Sequence, residues 1–251
     1  GEVEGLTFVL NGGASLDVNG LNLMSGPVDS VSTNAFLAGD TSALFARITE
    51  SNTFSIRLWL WAKSPLQDGP ARIFTWSQDP FVRNLTIGQI SIGRINGRVR
   101  FDNGFTTENG LVPIENVCMG CMEQVIGSAN GSLNPESGFQ QVVMQYDALG
   151  TVELWVDDIA VDRSCVVDGV PGGFSTWDPS FGIALGDELT NSQSRVDAVE
   201  SAHSARPWDG VIHSLEIYAE PVQPSQIITW LAERPIFQAS EAEQEPAASM
   251  P

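Results

Sequence analysis

The stretch 139–161, FQQVVMQYDALGTVELWVDDIAV, limits what this chain can fold into more than any other. Val142, Met144 and Tyr146 alternate with Gln141, Val143 and Gln145, a period of two that a strand keeps on one face. Asp147-Ala148-Leu149-Gly150 supplies a turn, because Asp bonds its own backbone and Gly takes positive φ without strain. Residues 151–156 alternate again, with Val152, Leu154 and Val156 on one face and Glu153 and Trp155 on the other. Asp157-Asp158 then reverses the chain before Ile159-Ala160-Val161. An antiparallel meander with one apolar face must bury that face under a second layer. No long amphipathic helix is legible nearby, so the predicted cover is a second sheet.

The rest of the chain agrees. Residues 6–10 read as an edge strand, followed by turns at Asn11-Gly12-Gly13 and Asn19-Gly20. Residues 43–48 read as a second short strand. Residues 54–63, FSIRLWLWAK, form the clearest single strand: Phe54, Ile56, Leu58 and Leu60 on one face, Ser55, Arg57, Trp59 and Trp61 on the other. Strands at 71–76 and 85–90 follow. Asn96-Gly97 between alternating runs predicts a hairpin over 92–101. Residues 103–138 read as a long excursion and 162–180 as a loop, before strands at 181–186 and 211–218. Pro224 and Ser225 open a short helix with an apolar stripe at Ile227, Ile228 and Leu231. From Pro235 the chain turns Ala-, Glu- and Pro-rich. The domain reading is therefore one sandwich over 1–234 and a disordered acidic tail or linker over 235–251.

With 251 residues and 42% apolar content, one large all-β domain can bury a sizeable core. The formal charge is −19, from 31 acidic against 12 basic residues, with Lys63 the lone lysine. That field repels phosphate backbones and argues against nucleic acid. It also suits divalent cations and solubility in saline surroundings. No apolar run is long enough to span a bilayer, so membrane insertion is not expected. The start lacks a basic segment leading into an apolar one, so any signal peptide is expected to have been removed or never present.

Cys118-Met119-Gly120-Cys121 has the spacing of a metal knuckle or redox pair, but the partners for either are missing around it. The preferred reading is a structural disulfide between Cys165 and Cys118 or Cys121, which an oxidising compartment would preserve. Free buried thiols in a cytosolic protein are the alternative.

In this order the motifs resemble the laminin-G-like, concanavalin A-like jelly-roll domains, in a bacterial subgroup. FSIRLWLWAKS is similar to the family's "FTISFWVKP" strand, and FQQVVMQYDALGTVELWVDDIAV to its "WHHVAVTYDGSGTVRLYVDGVLV" meander. FGIALGDE resembles its "IGG" strand, and WDGVIHSLEIYAEPVQPSQIITWL its closing "FNGxIDDVRIYNRALSxxEIxxL". The resemblance covers about 5–232. It implies an all-β, two-sheet antiparallel jelly roll with a short C-terminal helix and six or seven strands in each sheet. It implies an extracellular or periplasmic module that binds glycans or proteins, often with calcium. Asp17 matches an early acidic position of the family, whereas His213-Ser214 stands where the family has Asp-Asp. Asp17, Asp187 and Asp209 are the candidate calcium ligands, with a solvated acidic surface as the alternative for each.

Two readings of the second face of 54–63 remain open. Trp59 and Trp61, with Trp155 on the same outer face and the Arg57 guanidinium beside them, make a platform on which a sugar could stack. Alternatively, a loop or terminal segment covers the rings. Chemistry is poorly supported. Glu153 and Asp157 share a face, but Asp157-Asp158 reads as turn chemistry rather than as half of a glycosidase pair. Tyr146, Tyr218, His203 and His213 lack nucleophile partners. The expected function is a non-catalytic module of a bacterial surface or envelope protein, for lectin-like glycan recognition or adhesion. A protein–protein assembly module of an envelope complex or appendage is the alternative, and a glycan hydrolase or lyase is less favoured.

Overall fold

The computed structural model describes residues 7–11, 13–23, 34–38, 41–67, 71–79, 82–90, 93–102, 112–113, 133–165, 172–188 and 207–238. In chain order the strands are β1 (Thr7–Asn11), β2 (Ser15–Asp17), β3 (Gly20–Asn22), β4 (Asn34–Ala38), β5 (Phe54–Ala62), β6 (Ala71–Ser77) and β7 (Arg83–Gln89). They continue with β8 (Ile95–Val99), β9 (Val112–Pro113), β10 (Gln140–Tyr146), β11 (Thr151–Val156), β12 (Ile159–Cys165), β13 (Gly182–Leu185) and β14 (Gly210–Tyr218). They form two seven-stranded antiparallel sheets, in the orders β1-β4-β13-β6-β7-β8-β9 and β12-β11-β10-β5-β14-β3-β2. The fold is a jelly-roll β-sandwich, as the alternation predicts. Among the described residues no helix is long and apolar enough to cross a membrane.

The core lies between the sheets. Phe54, Ile56, Leu58 and Leu60 of β5 meet Val142, Met144 and Tyr146 of β10 and Val152, Leu154 and Val156 of β11, all buried. Phe74, Trp76, Leu85 and Ile87 face them from the first sheet. At one end an aromatic group fills the gap: the Phe174 ring lies 4.4 Å from Trp177 and 5.2 Å from Tyr146. The buried Tyr146 hydroxyl donates to the Gly172 carbonyl at 2.6 Å, which satisfies the one polar atom of that ring. The two meander turns form as their residues dictate. Asp147 Oδ1 accepts the Leu149 and Thr151 amides, and Gly150 sits at φ 87.

Three local expectations are corrected, and one turn holds. Residues 43–48 are not a strand but lie in helix α1 (Ser42–Ser51). Leu44 and Ile48, one turn apart, are buried together, Phe45 packs against the core, and Asn52 ends the helix at φ 52. The Asn96-Gly97 pair does not turn. It lies inside β8 opposite Gly88 and Ile87. The reversal falls earlier, where the Ile90 amide donates to the Arg94 carbonyl at 2.7 Å and Gly93 takes φ 71. A Cβ on Gly93 would stand 2.5 Å from the Leu133 carbonyl oxygen, so close backbone approach decides the turn. The turn read at Asn19-Gly20 is borne out and closes a β2–β3 hairpin. The C-terminal helix α2 (Pro224–Trp230) buries Ile227 and Trp230, while Ile228 is exposed and Leu231 only half-buried. Its buried stripe is an i, i+3 pair.

Residues 235–238 dock on the sandwich instead of leaving it. The Phe237 ring lies 5.3 Å from Trp61 and 5.5 Å from Phe139. Residues 239–251 lie outside the described part, as do Cys118, Cys121 and the side chain of Cys165, at the end of β12.

Candidate functional site

The outer face of the second sheet carries the side chains with recognition chemistry. Strand register lines them up in rows. Glu216, Arg57, Val143 and Trp155 stand side by side across β14, β5, β10 and β11. The next row is Tyr218, Ser55, Gln145 and Glu153. Trp155 thus shares a face with Arg57 and Trp59, as the alternation requires.

Arg57 is the centre of this face. Its Nη1 donates to Glu216 Oε1 at 3.2 Å, its Nη2 to Glu233 Oε2 at 2.7 Å, and its Nε to Gln141 Oε1 at 3.1 Å. The guanidinium lies 4.4 Å from the Trp230 ring centre and 5.7 Å from that of Trp59. Three hydrogen-bond partners and two π faces lock it in one orientation. The Tyr218 hydroxyl donates to Glu216, and its ring stacks on Trp230 at 6.0 Å. Burial, then the hydrogen bond and charge of Glu216, push the Tyr218 phenol up to about 12, so it stays a donor. Gln145 Nε2 donates to Glu153 Oε2 at 2.8 Å, and Trp155 Nε1 reaches the same oxygen at 3.3 Å.

Of the two readings left open for this face, the structure bears out the covered one: a terminal segment lies over the rings. Arg57 and Trp59 are each only 3% exposed, and Trp61 and Trp155 are half-buried. The chain after β14 covers them. Helix α2 seats Ile227 and Trp230 on Val143, with Trp155, Tyr218 and Val222 around them. The following 3-10 turn (Leu231–Glu233) brings Glu233 to Arg57. Arg234 pairs with Asp157 at 2.9 Å and reaches over Trp59, 5.9 Å from the ring centre. The Trp61 Nε1 donates to the Pro135 carbonyl at 2.9 Å. At the far end Asn19 and Gln238 exchange two hydrogen bonds, of 2.9 and 2.7 Å. What stays reachable is the strip along Trp155, Glu153, Glu216 and Tyr218, together with the rim of Trp61.

Glu216, Tyr218, Trp230 and Glu233 were not singled out from sequence. Two had a signal: Glu216 and Tyr218 alternate with Leu215 and Ile217 in β14, which places them on the face of Arg57. Trp230 and Glu233 depend on where α2 docks, which no periodicity encodes.

The three candidate calcium ligands do not come together. Asp17 is exposed and its Oδ1 accepts the Asn19 amide at 2.7 Å. Asp209 pairs with Lys63 at 3.8 Å. Asp187 is fully buried, with Oδ1 on the Glu188 amide at 2.7 Å. Among the described residues no group of three His, Cys, Asp or Glu side chains is arranged to hold a metal ion. Each of these carboxylates is thus engaged locally, whereas a calcium site needs oxygens that converge on one point. Beside Asp187, Glu188 serves another purpose: it accepts from Arg72 Nε at 3.3 Å and Arg83 Nη1 at 3.0 Å, all three side chains sealed from water.

No family model matches the chain, and no curated protein matches it. Solved structures match its fold. The binding domain of botulinum neurotoxin DC in complex with SialylT superposes with a TM-score of 0.55 at 12% identity, over 92% of this chain and 47% of that one. The binding domain of botulinum neurotoxin DC in complex with rat synaptotagmin II gives 0.53 at 12%, over 92% and 47%. A botulinum neurotoxin type C structure, whose cell entry depends on interaction with two ganglioside molecules, gives 0.54 at 14%, over 92% and 47%. The chain spans about half the length of these solved chains, and at such identities the likeness is one of fold.

Proposed function

We propose that this chain is a non-catalytic recognition module that takes a glycan on the outer face of its second sheet. The observation that carries this reading is the row Glu216–Arg57–Val143–Trp155. It sets a rigid Arg, a carboxylate and an aromatic ring in line across four adjacent strands, the mixture that holds sugar hydroxyls and stacks sugar rings. The ganglioside, SialylT and synaptotagmin II partners of the neurotoxin binding domains support a jelly roll used for binding. Bond-breaking is disfavoured by the wiring. Glu216 and Glu233 both bond the one Arg57 guanidinium, a pairing that serves to fix the arginine rather than to flank a glycosidic bond.

The finer reading is a laminin-G-like module of the bacterial subgroup, extracellular or periplasmic, within a surface or envelope assembly. The order of its sequence motifs supports the subgroup. The expected bridge from Cys165 to Cys118 or Cys121 supports the compartment, and intact-mass analysis under non-reducing conditions checks it. Calcium is left out of this proposal, because each carboxylate offered for it is engaged locally, Asp17 by the Asn19 amide, Asp187 by the Glu188 amide and Asp209 by Lys63.

A glycan array with the Trp155→Ala variant beside the native chain tests the proposal. Loss of one stacked ring, worth ~1 kcal/mol, weakens binding about fivefold. A native chain that retains no glycan turns the reading to the second one, a protein–protein assembly module. The specific observation favouring that reading is the cover over Trp59, which removes the widest stacking surface from solvent.

A further inference from the structure

Resting on the reading of this face as a recognition surface, we propose that residues 224–238 form a releasable strap. It is an internal occupant that holds the Arg57–Trp59–Trp61 strip closed until a neutral glycan competes for it.

The surface beneath the strap is the first reason. A permanent cap is laid on an apolar sheet, since exposing such a sheet is costly. Here the strap covers the polar Arg57 and Gln141 together with the rings of Trp59, Trp61 and Phe139 and the aliphatic Val143 and Val211. When the strap leaves, Arg57 and Gln141 rehydrate and the indole rings are left for a sugar to stack on.

The fastening is the second reason. Within 224–238 only Ile227 and Trp230 are buried. Leu231 and Phe237, neither of them buried, add apolar contact to the Trp59–Trp61–Phe139 cluster, and the other attachments are polar, most of them reaching solvent. The Glu233 side chain that binds Arg57 is 57% exposed, and the Arg234 side chain that binds Asp157 is 37% exposed. Gln141 Nε2 donates to the Ile227 carbonyl at 3.1 Å, and Asn19 exchanges two bonds with the Gln238 backbone. Exposed ion pairs and hydrogen bonds trade for water at small net cost. Helix α2 has seven residues and no side-chain cap at its N-terminus, too short to persist once lifted, so the strap releases as one unit.

The third reason is what the strap imitates. Glu233 gives carboxylate oxygens to Arg57, Trp230 lays a ring over the guanidinium, and Phe237 lays a ring beside Trp61. A sugar offers the same two things, acceptor oxygens and a flat face. The charge of −19 selects among sugars: an anionic one is repelled at a distance, so hydroxyl oxygens replace Glu233.

Hydrogen exchange read by mass spectrometry, with acrylamide quenching of tryptophan fluorescence, tests the strap. The full chain is compared with the E233Q/R234Q double variant and, separately, with Phe237→Ala, which changes a partly exposed ring. In the native chain, amides over 225–234 exchange at least about tenfold faster than those of β5 and β10. Both variants raise strap exchange and tryptophan quenching several-fold while β5 and β10 stay protected. Soluble neutral oligosaccharides then bind the double variant about tenfold more tightly than the native chain. Faster exchange with no oligosaccharide bound by either protein upholds the strap and overturns its glycan competitor along with the recognition reading. Strap amides that exchange only together with β5 and β10, in the native chain and both variants, overturn the strap itself.

Discussion

Two arginine–carboxylate clusters lie in the two sheets and differ in one respect that decides their roles. In the first sheet Arg72 and Arg83 converge on Glu188, and all three side chains are at most 1% exposed. In the second sheet Arg57 is shared by Glu216 and Glu233, whose side chains are 36% and 57% exposed. The chemistry of the pairs is the same. Water access is not, and it sets what breaking a pair costs. A sealed charge that loses its partner cannot rehydrate, whereas a half-open one can. The first cluster is committed to holding the sandwich together, and the second is available for exchange with something else.

The contrast breaks most visibly at Glu188. Glu188→Gln strips a charge from between two buried arginines and should cost about 3–5 kcal/mol in urea unfolding. A loss under about 1 kcal/mol would erase the distinction. Arg57→Met sharpens it from the other side: Glu216 and Glu233 turn to water, and the cost should be about 1–2 kcal/mol by the same measurement. Removing the outermost link, Arg234→Gln, should cost no more than about 1 kcal/mol, and raising salt should narrow even that gap.

The smallest effect belongs to a carboxylate with no arginine at all. Asp102 accepts the Ser175 hydroxyl and the Gly173 and Ser175 amides. The Ser175 hydrogen bond, with help from those amides, holds its carboxyl below the usual range. A lowered folded pKa stabilises above the unfolded value of about 3.9 and is lost as pH falls through the lower folded value. Asp102→Asn should therefore flatten the acid limb of stability below about pH 4, and unfolding curves taken down into acid check it.

The sandwich was legible because strand alternation is a local property. β5, β10 and β11 could be read off three runs of period two, with their inward residues named correctly. Where two patterns compete over a few residues, reading fails: SALFARITES offers apolar residues at both strand and helix spacing, and only burial of Leu44 with Ile48 decides. Asn96-Gly97 failed for a different cause, since a tight contact at Gly93 outranked the usual turn chemistry. On the candidate site, alternation placed Arg57, Trp59, Trp61 and Trp155 on one face, and the register agrees. It could not tell that Trp59 is roofed over, because the roof comes from a segment some 170 residues further along the chain.

The pairing at the far end of that roof has its own consequence. The Asn19 side-chain amide donates through its nitrogen and accepts through its oxygen in its two bonds to Gln238, which a carboxylate cannot do. Its neighbour is fixed as well: Gly20 sits at φ 123, and a Cβ there would lie 2.4 Å from the Ile212 carbonyl oxygen. A change of one atom group, amide to acid, would turn Asn19 from a hook that fits into one that pushes away. The latch is thus written into the side-chain nitrogen of a single asparagine.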